Sequence, residues 1–200
     1  MTAFKYNYFI SAAHSGFRYQ YQDGLTHALS RFGVEQVVLK TVEKKSNEDT
    51  FVVLATNSMG LELGGIRIEI KTPENRLPLE KCTTKFQSAI QVKIDRYIKQ
   101  SYVVAEICGL WASPLAKGSG LGSDLALQAT QLALDLGADV VVSMLPSHTL
   151  NYFTRLGFVM DREIPVLAYP DDRYLSSVVW YLNPQPQKVK YVENQFNLEV

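Results

Sequence analysis

An α/β domain is expected from three observations. Apolar, β-rich runs gather in the middle of the chain: Phe51 to Ala55, then Ile66, Ile68 and Ile70 alternating with Arg67, Glu69 and Lys71 as in a half-buried strand. An apolar strand from Ala105 to Ala112 enters a glycine-rich turn that opens directly into a helix, with Leu125, Ala129, Leu132 and Leu136 at helical spacing. A second apolar strand, Asp139 to Leu145, follows that helix.

The 200 residues carry zero formal net charge, and 46% of them are hydrophobic, enough for one compact domain spanning residues 1–200 with a real core. Zero net charge argues against nucleic acid as a partner, because that contact depends on phosphate neutralisation by Lys and Arg. No apolar run approaches the roughly 20 residues that span a bilayer, and neither end reads as a secretory signal. A soluble, cytoplasmic protein without a membrane partner is expected. Cys82 and Cys108 are too few for a disulfide scaffold and lack metal-ligand spacing with the histidines. They read as reduced structural thiols, and no metal site is expected.

Along the chain, Phe4 to Ala12 reads as a first strand and Phe17 to Phe32 as a mixed aromatic and polar helix ended by Gly33. Val37 to Val42 adds a further β-rich run. Leu79 to Gln100 reads as an inserted helical segment, with Phe86, Ile90, Ile94 and Tyr97 or Ile98 at helical intervals. Beyond Leu145, a short helix leads to Phe158, a strand lies near Val159 to Arg162, a loop carries Tyr169 to Tyr174, and a last strand runs from Ser177 to Leu182. Pro184 and Pro186 open a polar tail over about residues 184–200.

The glycine turn has the layout of a phosphate cradle: backbone N–H groups and the positive end of a helix attract an anion, and missing Cβ atoms let it approach. A P-loop is excluded because no Lys-Ser or Lys-Thr follows the glycines. The dinucleotide fingerprint fits poorly, because Gly118, Gly120 and Gly122 are spaced two apart and Ser123 stands in the third glycine's place. What remains is Gln/Arg-x-x-Gly-x-Gly/Ala, matched by Lys117-Gly118-Ser119-Gly120-Leu121-Gly122 with Lys in the first position. With Ala-Glu-Ile at residues 105–107 before it, and Ser147 to Phe158 ending in Leu-Gly-Phe after it, this resembles the pyrophosphate-binding motif of the GNAT superfamily of N-acyltransferases. The resemblance covers about residues 50 to 183.

That resemblance implies a mixed, mostly antiparallel central sheet, splayed between its fourth and fifth strands, with helices on both faces. It implies transfer of an acetyl or longer acyl group from acyl-coenzyme A, a cosubstrate, to a small primary amine by direct attack. The pantetheine arm would lie along Leu110, Trp111 and Ala112. Lys117, Gly118, Ser119, Gly120, Leu121, Gly122 and Ser123 would hold the pyrophosphate, and Asn151 would assist. Gly109 fits a bulge that frees an N–H for the thioester carbonyl. Glu106 matches the position of a general base, with a sheet-face carboxylate paired to Lys or Arg as the alternative. The family's acid position, four residues before the Gly of Leu-Gly-Phe, holds Phe153 here. Its neighbour Tyr152 is the substitute candidate, although a helix turns it about 100° away. Ser147, His148 and Asn151 are further candidates, by direct or water-mediated contact, with a cap or surface polar group as the alternative for each. Phe153 also keeps a non-catalytic acyl-coenzyme A sensor in play.

The inserted segment carries Lys81, Lys85, Lys93, Arg96 and Lys99 against Glu80 and Asp95. This basic face suits either solvent or an acidic acyl-carrier protein, the donor of the acyl-homoserine-lactone and N-acyl amino acid synthases that share the fold. Free acyl-coenzyme A is the preferred donor, since Lys117 and its glycines supply a phosphate site. A homodimer is left open. His14, His27, Tyr19 and Tyr21 read as surface or packing residues before acceptor contacts.

Overall fold

The computed structural model describes residues 4–10, 15–36, 50–82 and 87–184. Among the described residues, eight strands form one open sheet: β1 (Lys5–Ile10), β2 (Thr50–Thr56), β3 (Glu62–Ile70), β4 (Val104–Ala112), β5 (Val140–Pro146), β6 (Val159–Met160), β7 (Leu167–Ala168) and β8 (Leu175–Leu182). Their order is β1-β2-β3-β4-β5-β8-β6, with β7 also on β8, and every pairing is antiparallel except β4 with β5. The helices are α1 (Ser15–Ser30), α2 (Pro78–Cys82), α3 (Gln87–Lys99), α4 (Leu121–Asp135) and α5 (Leu150–Thr154). The segment expected as one helix over residues 79–100 thus carries α2 and α3. The run from Val37 to Val42, His14, Lys85 and Phe86 lie outside the described residues.

Strand alternation sends side chains to two different cores. Ile66, Ile68, Ile70, Ala105, Ile107 and Val141 face α4, which buries Leu121, Leu125, Ala126, Ala129 and Ala133 against them. The alanine row lets the helix approach the sheet closely, and each buried leucine contributes about 1.5–3 kcal/mol. On the opposite face Leu77, Leu79, Ile90 and Ile94 of the α2 and α3 segment cover Val104, Val140 and Val142. On that same face α1 places Tyr21 and Leu25 over Val52, Leu54 and Trp111. Trp111 fits because Gly24 of α1 and Gly65 of β3 have no Cβ to strike its indole.

Near Val159 the expected strand stops after two residues. Asp161 turns the chain there: its Oδ1 accepts the N–H groups of Glu163 and Ile164, at 2.8 and 3.1 Å. Its other carboxylate oxygen accepts Trp180 Nε1 at 2.7 Å, and Lys93 Nζ reaches it from α3 at 2.7 Å. This junction ties the inserted segment to the far edge of the sheet.

The decisive feature is the middle of the sheet. β4 and β5 pair only at Val104 with Val140, Ala105 with Val141 and Glu106 with Val142. Beyond that point β4 stays with β3 as far as Ala112, and β5 stays with β8 as far as Pro146, so the two parallel strands part. Ser143 holds the apex by donating its hydroxyl to the Ile107 carbonyl at 2.6 Å.

Candidate functional site

The β4 side of this gap contains a bulge. Gly65 pairs with Trp111 and Arg67 with Cys108, so Gly109 and Leu110 together stand opposite Ile66 alone. Gly109 has φ +62°, a conformation that other residues adopt only with strain. Tyr21 of α1, 2% exposed, donates its hydroxyl to the Gly109 carbonyl at 2.8 Å. Burial pushes the Tyr21 pKa far up, so this hydroxyl keeps its proton.

The gap opens onto the loop between β4 and α4. Ser113 accepts the Leu115 N–H at 3.3 Å and starts a single 3-10 turn, Pro114–Ala116. The N–H groups of Lys117 and Ser119 then return to Pro114 and Ala116, and that of Ser123 to Gly120. The Ser119 hydroxyl donates to Ala116 O at 2.7 Å and accepts the Leu121 N–H at 3.3 Å. Leu121 spends its side chain in the core. Ser119 and Leu121 therefore build the loop and have no donor left for a ligand.

The N–H groups of Gly118, Gly120 and Gly122 differ: among the described residues they have no acceptor. Gly120 caps α4 at φ +84°, and nothing lies within 4 Å of where its Cβ would be, so the space above the cap is open. Lys117 is exposed and has no ion pair among the described residues. Three donors without a described acceptor, the positive end of a fifteen-residue helix and one cation thus come together in the loop that leaves β4 at the gap. Asp124, the one carboxylate in the helix's first turn, accepts a 3.3 Å hydrogen bond from the Tyr6 hydroxyl of β1.

Across the gap, α5 presents Tyr152 with its ring over Gly122, where a Cβ would come 2.9 Å from Cε2. Asn151 is exposed beside it. Phe153 points the other way, fully buried and edge-on to Phe158 with ring centroids 5.2 Å apart. Leu110 is half-buried and Ala112 exposed, whereas the Trp111 side chain is turned into the α1 core, so only its backbone can face the gap.

Glu106 is 2% exposed and lies on the α2 face of β4, where its Oε2 accepts the Leu79 N–H at 2.9 Å. Burial pushes its pKa well above the ordinary carboxylate value, and the Glu69 and Glu80 charges add to the rise. The Leu79 N–H and the Arg67 guanidinium oppose it without cancelling it. Sequence reasoning missed the rest of this polar group. Glu69 is its cross-strand partner, and Arg67 holds Glu69 at 3.1 Å while donating to Cys108 Sγ at 3.3 and 3.4 Å. Arg67 and Glu69 alternate as solvent-facing residues would, and only the β3–β4 register together with the burial of Arg67 shows otherwise.

No family model matches the chain. Uncharacterized proteins of Mycobacterium tuberculosis and Mycobacterium bovis are 25% identical to it over 166 residues, which span 80% of this chain and 62% of each relative. Solved structures align over nearly its whole length. An N-acyl amino acid synthase from uncultured soil microbes superimposes with TM-score 0.66 at 12% identity, covering 91% of this chain and 92% of its own. A polyamine N-acetyltransferase of Drosophila melanogaster gives 0.59 at 15%, covering 90% and 100%. An acyl-CoA N-acyltransferase of Pseudomonas aeruginosa gives 0.52 at 20%, covering 89% and 99%.

Proposed function

From a chain that has the fold of the GNAT acyl-coenzyme A N-acyltransferases, we infer an N-acyltransferase that moves an acetyl or longer acyl group from acyl-coenzyme A to a primary amine. One observation carries the reading: the parted parallel strands β4 and β5 open directly onto a loop whose Gly118, Gly120 and Gly122 N–H groups lack acceptors among the described residues. Those N–H groups and Lys117 suit a pyrophosphate, and Ser123 can add its hydroxyl. The free β4 edge from Leu110 to Ala112 suits an extended amide-bearing arm that pairs like a strand.

Chemically, the amine nitrogen attacks the thioester carbonyl carbon, the carbon–nitrogen bond forms, the carbon–sulfur bond breaks, and the sulfur leaves as thiolate. The amine's proton passes to Glu106, directly or through water, and the thiolate takes up a proton. A raised pKa makes the ionised Glu106 a stronger proton acceptor than an ordinary carboxylate. Tyr152 of α5, whose ring lies on Gly122, is assigned as the thiolate's acid.

The test is calorimetry with coenzyme A and acetyl-coenzyme A on wild type and Gly120→Val, followed by turnover with a panel of amines. A branched side chain at φ +84° on the cap strains the loop and blocks the phosphate, so affinity should fall more than tenfold in a folded variant. Equal affinities would remove the site. Phe153 favours a second reading, an acyl-coenzyme A binding module without chemistry, because no hydroxyl stands at that core position. Binding without turnover of any amine would select it.

A further inference from the structure

We propose that Tyr21 is a positioning residue for acyl transfer: by donating its hydroxyl to the Gly109 carbonyl it sets the Gly109–Leu110 peptide, whose Leu110 N–H then receives the thioester oxygen. The proposal rests on the acyl-transfer reading above and deepens it.

The argument starts at the bulge. A glycine at φ +62° can leave that conformation easily, so a Gly109–Leu110 peptide without tertiary contacts would be free to rotate. Tyr21 removes the freedom. Its hydroxyl reaches Gly109 O at 2.8 Å from a helix 88 residues earlier in the chain, and the side chain is buried. In a trans peptide the C=O and the following N–H point in opposite directions. Fixing the Gly109 carbonyl toward α1 therefore aims the Leu110 N–H away from α1. The fit is reciprocal, because a Cβ on Gly109 would overlap the Tyr21 hydroxyl, with Leu25 Cδ2 the next neighbour at 3.3 Å. Tyr21 and Gly109 thus form a matched pair: the glycine makes room for the hydroxyl, and the hydroxyl holds the glycine's peptide. A donor fixed before the reaction is worth most where charge develops on the carbonyl oxygen.

Tyr21→Phe keeps the ring and removes only the donor. In the ligand-free protein its Leu110 amide should change chemical shift and exchange faster with solvent than in wild type. With acetyl-coenzyme A labelled at the carbonyl carbon, the bound C=O stretch of wild type should lie below its solution value and return toward it in Tyr21→Phe. The variant's kcat should fall about tenfold with KM for the donor within twofold. An unmoved Leu110 amide overturns the proposal whatever the activity. So does a moved amide with an unchanged carbonyl band and kcat. If wild type binds no acyl-coenzyme A, the acyl-transfer reading itself fails, and calorimetry registers that separately from the amide measurement. Should Tyr21→Phe not fold, Gly109→Ala probes the same contact from the other side by displacing the hydroxyl. An unaltered carbonyl band and kcat in that variant overturn the proposal equally.

Discussion

Glu106 illustrates how burial chooses a residue's chemistry. Exposed on a sheet it would be an ordinary carboxylate; here burial under α2 favours its neutral form at pH values where other glutamates are charged, although the Leu79 N–H pulls the other way. Two predictions follow from the sign. As the amine's base, Glu106 should make kcat/KM rise with pH through its elevated pKa, and Glu106→Gln should abolish that limb and lower kcat while donor affinity stays within twofold. For stability, a group whose pKa is raised on folding contributes fully below its unfolded value, near 4.5, and loses that contribution as pH rises through the folded one. The urea midpoint of wild type should therefore decline relative to Glu106→Gln as pH rises across that window. Parallel curves for the two proteins would place the titration elsewhere. The Ala-Glu-Ile run made Glu106 legible in the sequence. Its anchor at Leu79 was not, because that contact joins residues 27 apart through the α2 turn.

Among the elements, α4 and β4 carry the site between them. Helix α4 was legible in its apolar period and in the glycine turn before it, both of them local signals. Its buried Leu125 stands over β3 beside Gly64, at the base of the loop that aims the glycine N–H groups. Leu125→Ala should cost about 2–5 kcal/mol, measured as a shift in the urea midpoint. Because the loop is seated on this helix, coenzyme A affinity should fall as well. A stability loss with unchanged affinity would show that the cradle holds its shape without the helix packing. Strand β4 was half legible. Gly109 suggested a bulge, but whether its carbonyl meets water or a buried hydroxyl depends on α1 lying overhead, and Tyr21 read as a packing residue until that placement was seen. The swap of Tyr152 and Phe153 was legible as a departure from the family pattern. What it does was decided by the orientation of α5, which sends the phenylalanine into the core and lays the tyrosine ring on Gly122.

For the whole molecule, the inserted segment is bound to the sheet through Lys93. Its ammonium meets Asp161 at 2.7 Å and Glu163 at 2.9 Å, so it is not a freely offered charge for an acidic carrier protein. Lys93→Glu should destabilise the protein by roughly 2 kcal/mol, since it sets a carboxylate against Asp161, whose side chain is 1% exposed. A loss of rate with a carrier-bound donor in that variant would then report folding before docking. Arg96 and Lys99 are exposed, and reversing them at low salt is the cleaner test of carrier steering. With free acyl-coenzyme A as donor, rates in the Arg96→Glu, Lys99→Glu variant should stay within twofold of wild type; a larger drop would bring this face into the donor site.

The sequence by itself determined the α/β class and the strand–glycine turn–helix unit, because periodicity, glycine spacing and helix polarity are local properties of neighbouring residues. Only the tertiary structure decided that β4 and β5 part after three residue pairs. It alone closed Ser119 onto its own loop, buried Arg67 next to the Glu69–Glu106 pair, and set Tyr21 on the Gly109 carbonyl. Each of these depends on strand register or on a helix packed from far along the chain, and burial and hydrogen-bond partners across such distances exist only once the sheet has formed.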